Sequence, residues 1–145
     1  MKSLTLAYCA GFFDGEGCVY INRFQNQRHT AGITWQLQIS VTNSNKEPLE
    51  KFQSYFGGRI RKQVCKKIKR FYWTWVCAAK TASLFLEAIL PYSIVKKDEI
   101  ILGLQFQSTM TRDRNRLSPE LILIRQNCYD KMKEAKKKNK GTSYV

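Results

Sequence analysis

The strictest constraint on this chain lies near its start, in Leu6-Ala7-Tyr8-Cys9-Ala10-Gly11-Phe12-Phe13-Asp14-Gly15-Glu16-Gly17. Through Phe13 the pattern is helical, and a turn with two carboxylates, Asp14 to Gly17, follows at once. Ala7, Ala10, Gly11 and Asp14 recur at spacings of three and four, so they share one helical face. A face without bulk lets a second helix backbone come unusually close. Glycine within a helix costs roughly 1 kcal/mol relative to alanine, so Gly11 is expected to serve packing. Gly15 and Gly17 are expected to end the helix through the left-handed conformation that glycine tolerates. Glu16 then stands at a helix C-terminus, where the macrodipole disfavours an anion unless a cation sits beside it. A bound metal ion meets that need, although an amphipathic helix with a polar cap would carry the same pattern.

Charge narrows the partners. The chain of 145 residues has 25 Lys plus Arg against 11 Asp plus Glu, a formal charge of +14. Such an excess points to a polyanion, and with 43% hydrophobic residues the chain is too apolar to be a disordered basic tail. One domain is expected over 1–145, with a core at 1–110, a C-terminal helix at 117–138 and a tail at 139–145. No apolar run approaches the roughly 20 residues of a spanning helix, and a signal-peptide pattern is lacking, so no membrane partner is expected. The five cysteines form no CxxC pair and His29 is the only histidine, which argues against a zinc site or a disulfide framework. Reduced thiols in an intracellular, reducing compartment, cytoplasm or organelle matrix, fit better than secretion.

The strand signal is clearest in Ile33–Thr42, where Ile33, Trp35, Leu37, Ile39 and Val41 alternate with Thr34, Gln36, Gln38, Ser40 and Thr42. One side is core. The other offers short polar groups, and glutamines in a pair of strands can reach base edges in a major groove. Cys18–Phe24 reads as the preceding strand, adding Tyr20, Asn22 and Phe24 to the candidate DNA contacts. Asn43-Ser44-Asn45 caps a helix with Leu49, Phe52 and Phe56 inward, and Gly57-Gly58 ends it. Strands follow at Arg59–Val64 and Arg70–Cys77. Arg59, Arg61, Lys66, Lys67, Lys69 and Arg70 gather around their hairpin, as phosphate contacts or as a solubility device. The faces of Phe71, Tyr72, Trp73 and Trp75 are left open by this pattern. Thr81 is expected to cap a helix through Leu90 with Leu84, Phe85, Ala88 and Ile89 buried. A further helix runs to about Thr109, Arg112–Arg116 is a polar linker, and Ser118-Pro119 starts a last helix to about Lys137, before Gly141.

Cys9-Ala10-Gly11-Phe12-Phe13-Asp14-Gly15-Glu16-Gly17 resembles the nine-letter motif of the LAGLIDADG homing endonucleases. Cys9 replaces the leading leucine and Glu16 the usual aspartate. Val41–Asn45, Phe56–Ile60 and Leu90–Lys97 resemble further segments of that family. The resemblance implies an α+β, αββαββα fold with a four-stranded antiparallel DNA-binding sheet and C-terminal helices. It also implies a site-specific DNA endonuclease, intron-encoded in many relatives, that leaves 3′ overhangs. Because the motif occurs once, it implies a homodimer with Ala7, Ala10, Gly11 and Asp14 at the subunit crossing. Glu16 and the Gly15 carbonyl are then the metal ligands. Mg²⁺ is the expected ion, with Mn²⁺ or Ca²⁺ able to replace it in binding. Asn43 matches a residue that orders active-site water, though it is equally a turn former. Lys96, five residues beyond Pro91, matches the basic residue near the scissile phosphate better than Lys97 does. The expected partners are a roughly palindromic duplex DNA and a second copy. Intron RNA enters on the rival reading of a maturase, beside a non-cleaving DNA-binding regulator. A basic ribosomal or chromatin protein fits the isolated acids poorly.

Overall fold

The computed structural model describes residues 3–28, 32–110 and 118–140. His29, the Arg112–Arg116 linker and the Gly141 helix stop lie outside them. In chain order the elements are α1 (Ser3–Glu16), β1 (Gly17–Gln25), β2 (Ile33–Asn43), α2 (Lys46–Phe56), β3 (Arg59–Cys65) and β4 (Arg70–Ala78). Then come α3 (Ala79–Ile89), a 3₁₀ turn (Leu90–Tyr92), α4 (Lys97–Ser108) and α5 (Pro119–Asn139). The strands form one antiparallel sheet in the order β1-β2-β4-β3.

Alternation decides what each face does. Trp35, Leu37, Ile39 and Val41 are buried, as the pattern of β2 requires. Val19 and Ile21 lie opposite Ile39 and Leu37, and Trp75 and Cys77 opposite Val41 and Ile39, so all point into the same core. This settles the open parity in β4. Trp73 and Trp75 face the helices, Phe71 shares their side but lies exposed at the hairpin end, and Tyr72 and Thr74 face away. Phe52, Phe56, Phe85 and Trp75 meet as an aromatic cluster with ring centroids 4.8–5.9 Å apart. On the same side α4 crosses the sheet at Gly103, where a Cβ would come within 3.1 Å of Leu37 and 3.2 Å of Val19.

Local chemistry sets most helix ends. The Asn45 side chain accepts from the Glu47 amide to open α2, and Gly57, at φ 79°, closes it. Ser118 accepts from the Leu121 amide, with Pro119 in the first turn of α5. Buried Arg125 then ties α5 to the end of α4, donating from Nη2 to the Thr109 carbonyl at 2.7 Å.

Three expectations are corrected. The first helix continues through Asp14, Gly15 and Glu16 and passes directly into β1, so no separate turn intervenes. Gly15 and Gly17 are absent from the positive-φ glycines, and Gly17 is demanded by space: a Cβ there would lie 2.6 Å from the Phe13 carbonyl oxygen and would clash with the edge of the Phe13 ring. Gly17→Ala is expected to destabilise by about 1–3 kcal/mol, as overpacking does, and a lowered Tm would register it. Further on, Thr81 lies inside α3, which begins from Ala78 without a side-chain cap. Leu84 is exposed there, and Ala82, Ser83, Phe85, Leu86 and Ile89 form the buried face.

Candidate active site and nucleic-acid interface

The open face of the sheet carries the residues expected to meet DNA. By strand register Tyr20 lies opposite Gln38, Asn22 opposite Gln36 and Phe24 opposite Thr34. Ser40 pairs with both Cys18 and Val76. Arg59 and Arg61 join this face through Val76 and Thr74, and Arg70 pairs with Cys65 at the hairpin end. Lys66, Lys67 and Lys69 stand exposed in the turn beyond. Sequence reasoning missed Gln63, Tyr72 and Thr74, which the β3–β4 register places among them; alternation alone could have found Gln63, two residues beyond Arg61.

Two features prepare this face for a polyanion. None of the four strands contains an aspartate or glutamate. Several side chains are held in place: Asn22 donates to the Gln38 side chain at 2.7 Å, and the Thr42 and Thr74 hydroxyls are 3.0 Å apart. Burial pushes the Tyr20 hydroxyl above its ordinary value, against the smaller opposing effect of hydrogen bonding with Ser40.

The end of α1 meets the edge of this surface. Gly17 pairs with Val41, so the last residues of β2, Thr42 and Asn43, run on beside the motif. Glu16 is exposed on the final turn of α1, and no hydrogen bond or ion pair holds its carboxylate among the described residues. Asp14 is treated very differently. Its carboxylate accepts from the Ser93 hydroxyl and from the amides of Ile94 (2.7 Å), Val95 (3.1 Å) and Lys96 (3.1 Å). Those amides belong to the segment that leads into α4, whose first turn has no side-chain cap, so Asp14 fixes the approach to α4 from another helix.

Lys96 closes the arrangement by donating from Nζ to the Asp14 backbone carbonyl at 2.6 Å. That puts its positive charge at the negative end of α1, against the Asp14 carbonyl. Lys97 is exposed on the first residue of α4, so the geometry brings Lys96 rather than Lys97 to the motif. Asn43 uses its side-chain oxygen as a turn former, accepting from the Asn45 amide at 2.8 Å, which leaves its NH₂ group for another partner.

The expected crossing face needs revision. Ala10 is fully buried within the single chain, and Asp14 is engaged by the Ser93–Lys96 segment, so neither is free for a second helix. Helix geometry instead exposes Tyr8, Gly11 and Gly15, with Ala7 and Phe12 half-buried at the flanks. The displacement arises because small residues lie on both sides of α1, and Ala10 packs beside Cys9 and Phe13.

Burial first opposes ionisation of Asp14, but the hydrogen bonds from Ser93 and the three amides prevail and hold its carboxyl below the ordinary 3.8. A depressed folded value gives stability that is present above about pH 4 and is lost as pH falls through that value. Asp14→Asn is expected to cost about 2 kcal/mol at neutral pH, as hydrogen bonds to a charged group do, and to flatten the acid limb of stability. Denaturant melts at pH 7 and pH 3 check both parts; equal losses at the two values would contradict the assignment.

The residues at the motif end suit a hard divalent ion. They provide one unpaired carboxylate and backbone carbonyls, and no cluster of three or more His, Cys, Asp or Glu occurs among the described residues. So few protein ligands suit Mg²⁺, which retains waters and takes phosphate oxygens.

Solved structures share this architecture. The homing endonuclease I-CvuI, in complex with the I-CreI target in the presence of Mg, superposes with a TM-score of 0.80 at 19% identity, covering 98% of this chain and 86% of that one. The archaeal intron-encoded homing endonuclease I-Vdi141I, complexed with DNA, gives 0.79 at 17% identity over 100% and 89%. The I-LtrWI LAGLIDADG homing endonuclease bound to target DNA gives 0.72 at 19%, covering 91% of this chain but 45% of that chain. No curated protein sequence matches. The family model described as LAGLIDADG endonuclease matches residues 9–97, more than half the chain and every residue from the motif to Lys97, and the protein therefore belongs to that endonuclease family.

Proposed function

We propose that two copies of this chain form a site-specific endonuclease that cuts both strands of a long, roughly palindromic duplex and leaves 3′ overhangs. The carrying observation is the contrast between two carboxylates on one helix turn: Asp14 is saturated by hydrogen bonds, whereas Glu16 is left open at the edge of an acid-free surface, on the helix end that Lys96 reaches through the Asp14 carbonyl. One motif supplies one such acid. Coverage of 45% of the I-LtrWI chain supports a half-sized unit that a second copy completes.

In this reading Tyr8, Gly11 and Gly15 form the twofold crossing, and each copy directs its Glu16 to one strand. Glu16 with the Gly15 carbonyl holds Mg²⁺, which Mn²⁺ or Ca²⁺ replaces in binding. The ion offsets charge on the phosphate and makes water a stronger nucleophile when bound. Lys96 places a cation beside the non-bridging phosphate oxygens as charge accumulates there. The Asn43 amide orients the attacking water. Tyr20, Asn22, Phe24, Thr34, Gln36, Gln38 and Ser40 read the groove, while Arg59, Arg61, Lys66, Lys67, Lys69 and Arg70 bind phosphates. A reducing intracellular compartment suits the five free cysteines, and an intron-borne gene suits the activity.

Incubation with a randomised duplex library and Mg²⁺, followed by sequencing of cut ends, tests the proposal. Paired cuts at related, near-palindromic sites with 3′ overhangs are expected. Salt-dependent duplex binding without cutting would replace this reading with the regulator, and preference for folded intron RNA would replace it with the maturase.

A further inference from the structure

Ser93 stands in extended backbone between the 3₁₀ turn and α4, and it is buried. Its amide donates to the Ile89 carbonyl at 3.0 Å, and its hydroxyl donates to Asp14 Oδ1. The two residues that follow turn their side chains to solvent: Ile94 is 84% exposed and Val95 57%. Side-chain packing therefore does little to hold this stretch in place, and the hydrogen bonds to Asp14 carry that task.

Asp14 grips Lys96 at both ends. Its Oδ1 accepts from the Lys96 amide at 3.1 Å, and its backbone carbonyl accepts from Lys96 Nζ at 2.6 Å. A lysine ammonium rides on a flexible stem, so its place depends on where the backbone beneath it is fixed. That in turn depends on which way the Asp14 carboxylate is turned. Oδ2 takes the Ile94 and Val95 amides, at 2.7 and 3.1 Å, while Oδ1 takes the Lys96 amide together with the Ser93 hydroxyl. An aspartate carboxylate rotates within a broad torsional well, and the Ser93 hydroxyl is the second donor that keeps Oδ1 turned toward Lys96.

We propose that Ser93 is a positioning residue for the cutting reaction: by fixing the Asp14 carboxylate it sets the Lys96 backbone, and with it the Lys96 ammonium, at the end of α1 before DNA arrives. This rests on the endonuclease reading above. Ser93 acts only through Asp14 and Lys96, since its own hydroxyl is buried and spent on the carboxylate. A cation already in place needs no reordering as charge accumulates on the phosphate, which is where a preorganised group gains its effect.

The test compares Ser93→Ala with Ser83→Ala, which removes a similarly buried hydroxyl that donates to the Lys80 carbonyl within α3. Thermal melts set a temperature at which every variant is folded. Affinity for a duplex recovered from the cutting library is read in Ca²⁺, and single-turnover cutting by saturating protein is read in Mg²⁺. Ser93→Ala is expected to cut about ten- to a hundred-fold more slowly, the scale of a misplaced catalytic group, with affinity unchanged within about twofold. Ser83→Ala should lower the Tm and keep the wild-type rate. Ser93→Thr keeps the hydroxyl and suits extended backbone, and should recover most of the rate. A wild-type rate in Ser93→Ala, or an equal loss of rate in both alanine variants, would overturn the proposal while leaving the endonuclease reading intact. A wild-type protein that cuts no member of the duplex library would overturn that reading, and the role of Ser93 with it.

Discussion

Glu16→Gln is expected to leave DNA binding in place and to reduce cutting on the order of a thousand-fold or more. The substitution keeps the shape of the side chain and removes its charge. Nothing in the protomer depends on that charge, because the carboxylate is exposed and forms no recorded hydrogen bond or ion pair among the described residues. Folding should therefore be unchanged, within about 0.5 kcal/mol, as for surface substitutions generally. Catalysis is different in the proposed mechanism, since an ion held there by one protein carboxylate would lose most of its anchoring. A loss of about 4 kcal/mol of transition-state stabilisation corresponds to roughly a thousand-fold in rate. Single-turnover cutting by equal amounts of bound wild-type and variant protein gives the comparison. Comparable rates would remove Glu16 from the mechanism and shift attention to Lys96 and Asn43.

On the proposed pairing of two copies, Gly11→Leu is expected to convert the dimer to monomers and to abolish double-strand cutting without harming the single chain. A Cβ at Gly11 would meet nothing within 4 Å, so the chain's own packing does not explain the glycine. Leucine favours a helix by roughly 0.8 kcal/mol over glycine, and the isolated protomer should be no less stable. At a close crossing the added side chain would hold the helices apart. A penalty of about 3 kcal/mol would weaken association more than a hundred-fold. Sedimentation of the variant reports the outcome, with Gly11→Ala as the milder control. A Gly11→Leu protein that remains dimeric and active would place the subunit contact elsewhere.

Much of this architecture was legible in the residues. The period-two pattern of Ile33–Thr42 defined both faces of the sheet, and Asn45, Gly57 and Ser118 marked helix ends by local hydrogen bonding or backbone conformation. Other features depend on partners distant in sequence. Asp14 and Ser93 are 79 residues apart, so the clasp by which α1 holds the segment before α4 has no local signature. The crossing face of α1 was displaced for a related reason. Small residues mark close packing without saying whether the neighbour belongs to the same chain, and Ala10 turned out to be core while Gly11 stayed outside. The uniformly apolar and aromatic run at Phe71–Trp75 had no alternation to read, and only pairing with β2 and β3 separated its faces.

In the proposed function, one chain holds half of a cutting site. The most direct measurement is the stoichiometry of the complex with a target recovered from the cleavage selection, determined by sedimentation or native mass in Ca²⁺ and followed by addition of Mg²⁺. Two chains on one duplex, with both strands cut after Mg²⁺ is added, is the predicted result. One chain on one duplex that cuts both strands would contradict it.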